Sequence, residues 1–218
     1  MTDHATAYRI ATDNRRRAAD LLAGLTPEQW RTPSLCVGWT VREVAAHLVE
    51  PLESGMTTLG LLGALVRHRG SLDRMVDVHA RRAASRPTDE LVARLRELSG
   101  AELDPSVIGP RGPMVDSLIH LRDMARPLGA AVDAPPEDWR HALDFVATPT
   151  SVTRSFAPRK RLAGLRLVAT DQDWAKGDGA ELRGPSEALV MAVTGRTVAL
   201  ADLTGPGVDV LRGRLSGS

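Results

Sequence analysis

The stretch GPMVDSLIHLRDMARPLG, residues 112–129, constrains the fold more than any other. It reads as a helix with acids and an imidazole set among its apolar positions, opened by Gly112-Pro113 and closed by Pro127-Leu128-Gly129. At about 100° per residue, Asp116, His120 and Asp123 fall in one narrow stripe flanked by Ile119. A carboxylate and an imidazole one turn apart can grip a metal ion from the same face. A third ligand must then come from elsewhere, and His47 is the leading candidate. The same spacing also describes an ordinary surface pair, which stabilises a helix by about 0.2–0.5 kcal/mol. In that case Leu118, Leu121 and Met124 would have to share burial with a charged stripe. Spacing alone leaves both readings open.

Aromatic residues make up only 3% of the 218 residues, so the core must be built from Leu, Val, Ala and Ile. Such a composition favours helices on aliphatic stripes. With 28 basic residues against 27 acidic ones, neither nucleic acid nor a membrane surface is an expected partner. Cys36 is the only cysteine, which excludes an intrachain disulfide and suits a reducing compartment. The first twenty residues hold no apolar core of signal-peptide type, and the most apolar run, Met56 to Val66, is short and interrupted by glycine. The expectation is a soluble, cytoplasmic protein, monomeric or homodimeric.

Along the chain, residues 4–24 read as a first helix with Ile10, Leu21, Leu22 and Leu25 turned inward. A Pro/Ser/Gly loop follows, and Thr40-Val41-Arg42-Glu43 is a capping box that starts a helix through His47, to be kinked or ended at Pro51. Further helices are expected over Thr57–Val66, 71–85, 88–100 and 136–146. From about residue 148 the texture changes to a Pro/Ser/Thr-rich linker. A strand over Leu162–Ala169, paired with Glu181-Leu182-Arg183, then precedes a helix opened by Gly184-Pro185 and a last helix over Val208–Leu215. The fold class is mainly α: a helical bundle over residues 1–148 and a small α+β domain over 149–218.

Two imidazoles and one carboxylate suit a divalent metal with open positions: zinc, with nickel, iron and manganese also compatible. A thiol bound to such an ion loses its proton and becomes a nucleophile at neutral pH. Among other candidates, Cys36 near the start of the His47 helix is a weaker nucleophile candidate. His68 and His79, in arginine-rich surroundings, are expected to face solvent, and His141 to be structural. The chain has no GxGxxG, P-loop or GxSxG motif, which removes support for dinucleotide, nucleoside-triphosphate and serine-hydrolase readings.

Three stretches together resemble the mycothiol-dependent maleylpyruvate isomerase family of the DinB-like metalloenzymes. They are WRTPSLCVGWTVREVAAHL (30–48), DSLIHLRDMARPLG (116–129) and VATDQDWAKGDGAELRGPSEALVMAVTGR (168–196). The resemblance implies a DinB-like four-helix bundle followed by a small α+β C-terminal domain. It also implies one divalent metal, usually zinc, held by His47, Asp116 and His120. The family's acidic ligand is glutamate, so Asp116 is one methylene shorter, and Asp123 either supports the site or takes that place. An arginine of the C-terminal part is expected to meet the thiol cofactor mycothiol, with Arg183 and Arg196 as candidates. The implied activity is addition or transfer of a low-molecular-weight thiol to a small electrophile, as an isomerase or S-transferase. A non-catalytic ligand- or partner-binding bundle is the alternative, and a metal-dependent hydrolase a third.

Overall fold

A computed structural model describes residues 2–54, 72–105, 108–148, 150 and 153–217. The chain forms two compact units, Asp3–Asp133 and Ala134–Ser218 with Met1–Thr2. The expected helix at Thr57–Val66 and His68 lie outside the described residues.

In the first unit α1 spans His4–Ala23, and Asp3 caps it by accepting the Thr6 amide at 2.7 Å. Its buried positions Ala7, Ile10, Ala11, Ala18 and Leu22 recur at helical spacing, with Asn14 and Arg15 in the same face. Helix α2 spans Val41–Ser54. At its start Glu43 accepts the Thr40 amide at 2.8 Å, and the Thr40 hydroxyl accepts the Arg42 amide at 3.3 Å. Pro51 does not end α2, which runs on to Ser54.

Helix α3 covers Leu72–Ala83, α4 Thr88–Glu97 and α5 Arg111–Ala125. Helices α1, α2, α4 and α5 pack as the four-helix bundle, with α3 laid on α2. The close of α5 is a Schellman turn: the Ala130 amide reaches Ala125 O at 2.9 Å and the Gly129 amide reaches Arg126 O at 3.0 Å. Gly129 sits there at φ +63°, a conformation that glycine adopts without strain.

In the second unit α6, Pro136–Val146, packs against α7, Ser186–Val193, although the expected boundary at 148 groups it with the bundle. The described part of the expected linker holds a 3-10 turn at Thr153–Ser155, pinned by the Thr153 hydroxyl donating to Thr148 O at 2.7 Å. Strand β1, Leu165–Ala169, pairs in parallel with β3, Ala180–Gly184, with Leu167 opposite Leu182. A two-residue β2, Ala175–Lys176, lies antiparallel on the other edge of β1, giving the order β2-β1-β3. Two residues are too few to show alternation, which is why the sequence does not announce β2. The chain then turns back at Gly179 (φ +128°), where a Cβ would stand 2.2 Å from Gly164 O. Helix α8, Gly207–Ser216, packs on β3. No helix among the described residues is long and apolar enough to cross a membrane.

Candidate metal centre

The bundle brings the three expected ligands together. His47 stands at the shoulder of the α2 apolar stripe formed by Val41, Val44, Ala45, Leu48 and Val49, so its ring leans across the interface with α5 instead of entering the core. His47 Nε2 lies 3.5 Å from Asp116 Oδ2, and His120 Nε2 lies 3.3 Å from Asp116 Oδ1. The two imidazoles meet edge to face, with centroids 4.9 Å apart. The donor atoms of His47, Asp116 and His120 all lie within 4.8 Å of one another. Two imidazole nitrogens and a carboxylate oxygen converging at that spacing fit a divalent cation. The shorter Asp116 side chain therefore reaches both histidines. About a third of it stays exposed at the rim, at 34%.

Asp123 occupies the other edge of the His120 ring. Its Oδ2 lies 2.9 Å from His120 Nδ1 and is fully buried. The Cys36 thiol donates to the same oxygen at 3.0 Å, with Sγ 3.6 Å from His120 Nδ1. Cys36, His120 Nδ1 and Asp123 thus form a second cluster that shares His120 with the first. As placed, Asp123 supports His120 from behind and does not stand in for Asp116. The Cys36 loop reaches this point because the Leu35 amide bonds to Asp123 O at 3.1 Å.

The electrostatics follow from this crowding. Burial alone would raise the Asp116 carboxyl, but His120 and His47 outweigh it and hold it well below the usual carboxylate range. Burial would lower His120, yet Asp116, the charge interaction with Cys36 and the bond to Asp123 push it well above an ordinary histidine. Nearby Arg15, only 3% exposed, donates to Ser99 O and Ala101 O at 3.1 and 2.8 Å. Burial lowers it to about 10, against the attraction of Asp116.

Trp39 packs on His47 at 5.4 Å and donates its indole N–H to Asp77 at 2.8 Å. Asp77 also accepts from Arg81 at 2.9 Å, and Arg81 holds Gly38 O at 2.9 Å, so α3 ties down the end of the loop. Sequence reasoning passes over Arg15, although its place between Ala11 and Ala18 on the inward face of α1 is a legible signal. It weighs Cys36 only as a nucleophile, because nothing in sequence order links position 36 to position 123.

The remaining candidates have other partners. His79 is 42% exposed and pairs with Glu50 at 3.1 Å, while His141 Nδ1 meets the Thr2 hydroxyl at 2.9 Å. Arg183, on β3, is ion-paired with Glu181 at 2.8 Å. Arg196 donates to Thr194 O at 3.1 Å, and after burial it is the neighbour that lowers Arg161.

Residues 11–105 match the family model of the mycothiol maleylpyruvate isomerase N-terminal domain. That stretch contains Cys36 and His47 and stops short of Asp116 and His120. In three dimensions the chain is similar to the crystal structure of the mycothiol-dependent maleylpyruvate isomerase, with a TM-score of 0.61 and 14% identity over 94% of this chain and 93% of that one. A histidine-to-alanine variant of that enzyme is similar over the same shares, with a TM-score of 0.60 and 14% identity. No curated protein matches the sequence.

Proposed function

We propose, from the match of residues 11–105 to the mycothiol maleylpyruvate isomerase N-terminal domain family, that this protein is a mycothiol-dependent metalloenzyme. It would act on a small electrophilic substrate, as an isomerase or S-transferase. The observation that carries this reading is the convergence of His47, Asp116 and His120 between α2 and α5. Asp116 and His120 lie beyond the matched stretch, so their geometry adds independent support.

His47 and His120 would hold the cation through Nε2, and Asp116 would supply the anionic oxygen. The metal and mycothiol together would supply a thiolate at neutral pH, for reversible addition to a conjugated double bond or for lasting transfer of sulfur. His120 must shed a proton to serve as a ligand, and Asp116 beside it favours the charged form. Metal uptake therefore releases a proton to solvent. Trp39, packed on His47, keeps water from one side of that ring.

In the C-terminal unit Arg183 and Arg196 are the two candidates for the mycothiol contact. Arg183→Ala and Arg196→Ala are each to be compared with wild type for the KM for mycothiol, and substitution of the one that makes the contact is expected to raise it with metal content unchanged.

The deciding experiment is elemental analysis of protein purified without a metal-affinity tag, beside His120→Ala, followed by a mycothiol-plus-electrophile screen. About one divalent ion per chain, absent from the variant, is expected. No metal in the wild type after incubation with zinc or nickel would sink the enzyme reading.

A further inference from the structure

We propose that the loop 34–39 is a positioning clamp for both imidazoles, acting on His120 through Asp123 and on His47 through Trp39. The proposal takes its purpose from the metal reading above, while its geometry stands without it.

At one end of the loop, Asp123 Oδ2 accepts from the Cys36 thiol at 3.0 Å and bonds His120 Nδ1 at 2.9 Å, with the acid wholly buried. A buried carboxylate is tolerated when donors satisfy it, and here one donor is the imidazole and another the loop. An Nδ1–H fixed on an immobile acceptor sets the plane of the ring and turns Nε2 toward Asp116 and His47. The loop is anchored to the same residue twice, because the Leu35 amide also bonds Asp123 O at 3.1 Å.

At the other end, Trp39 lies against His47, with its N–H on Asp77. Between the ends the loop is braced internally. The Ser34 hydroxyl donates to Trp39 O at 2.9 Å and accepts the Cys36 amide at 3.1 Å. One six-residue segment, Ser34 to Trp39, therefore fixes the ring on α5 through an acid and the ring on α2 through an indole. Cys36 acts here as a hydrogen-bond donor that holds Asp123 in register.

The test compares full-length wild type with Asp123→Asn, Cys36→Ala and Cys36→Ser. Zinc affinity is read by chelator competition, and the His120 Nδ1–H proton by NMR of 15N-histidine-labelled, metal-free protein. Asp123→Asn is expected to weaken zinc binding about 10- to 100-fold and to move the Nδ1–H proton upfield, since a neutral acceptor binds it less strongly. Cys36→Ala should weaken zinc binding about 3- to 10-fold, the size of one lost hydrogen bond, and Cys36→Ser should restore it. Wild-type zinc affinity and an unmoved proton in Asp123→Asn would overturn the clamp, as would Cys36→Ser binding no better than Cys36→Ala. If wild type binds no zinc, the metal reading fails, and the NMR shift alone decides the clamp. If Asp123→Asn loses its helical circular dichroism, the two Cys36 variants decide it.

Discussion

Helices α5 and α7 are both buried, and they bury opposite things. In α7 every residue from Ala188 to Val193 is apolar and fully buried. Its buried polar residues, Ser186 and Glu187, are confined to the first turn. There Asp171 accepts the Ser186 amide at 3.0 Å, so polarity serves the open end of the helix. In α5 the buried polar residues are Ser117, His120 and Asp123, spread from the middle of the helix to its last turn, and none of them caps an amide at its start. Leaving a buried polar group unpaired costs about 1–3 kcal/mol, and α5 avoids that cost with bonds that build a site instead of an end. Buried polarity in α7 serves its terminus; in α5, His120 and Asp123 belong to the candidate site.

The sharpest way to break this comparison is to turn α5 into a second α7. His120→Leu combined with Asp123→Leu removes both partners of a buried pair. Replacements of this kind are often neutral or stabilising by about 1–4 kcal/mol. The metal-free double variant is therefore expected to unfold no more easily than wild type in denaturant, while metal binding is abolished. A strongly destabilised double variant would mean that the pair is there for the fold.

The converse change is Leu189→Ala in α7, at a site with no exposure. It should cost about 2–5 kcal/mol in unfolding free energy. Metal content per folded chain should match wild type, and a fall in it would erase the division of labour between the two helices.

A third test uses pH on metal-free protein. His120 is raised on folding, so its stabilisation is complete below an ordinary histidine value of about 6.5 and is lost as pH climbs through the raised value. Asp116 is depressed, so its stabilisation is present above about pH 4 and is lost as pH falls through the depressed value. Denaturation midpoints should thus be highest between about pH 4 and 6.5 and fall toward alkaline pH. Saturating zinc should cancel the alkaline decline, because the ion takes the place of the proton. A midpoint that rises between pH 6.5 and 9 without metal would contradict the charge state assigned to His120.

Much of the fold was legible because its signals are local. The Thr40–Glu43 box marks the start of α2, and Pro127-Leu128-Gly129 marks the close of α5. The stripe of Asp116, His120 and Asp123 follows from helical period alone, and the structure puts both acids against the His120 ring. What the sequence did not disclose is non-local. Cys36 and Asp123 meet only because a loop folds over α5, and Arg15 meets Ser99 O only across the bundle. Strand β2 owes its place to β1, since Ala175-Lys176 has no strand character of its own. The grouping of α6 with α7 depends on tertiary packing that a change in composition near residue 148 does not report.

The smallest expected effect concerns polarity outside both helices. Trp39 holds His47 with its ring and Asp77 with its N–H, and the two contacts are separable. Trp39→Phe keeps an aromatic face on His47 and deletes only the hydrogen bond. It should cost about 0.5–1.5 kcal/mol in stability and leave zinc affinity near wild type. Trp39→Ala removes the face as well and should weaken zinc binding, because His47 is then free to turn away from Asp116. If Phe and Ala weaken zinc equally, the hydrogen bond to Asp77 is what sets His47. Polarity at the edge of the bundle would then serve the site as directly as polarity inside α5.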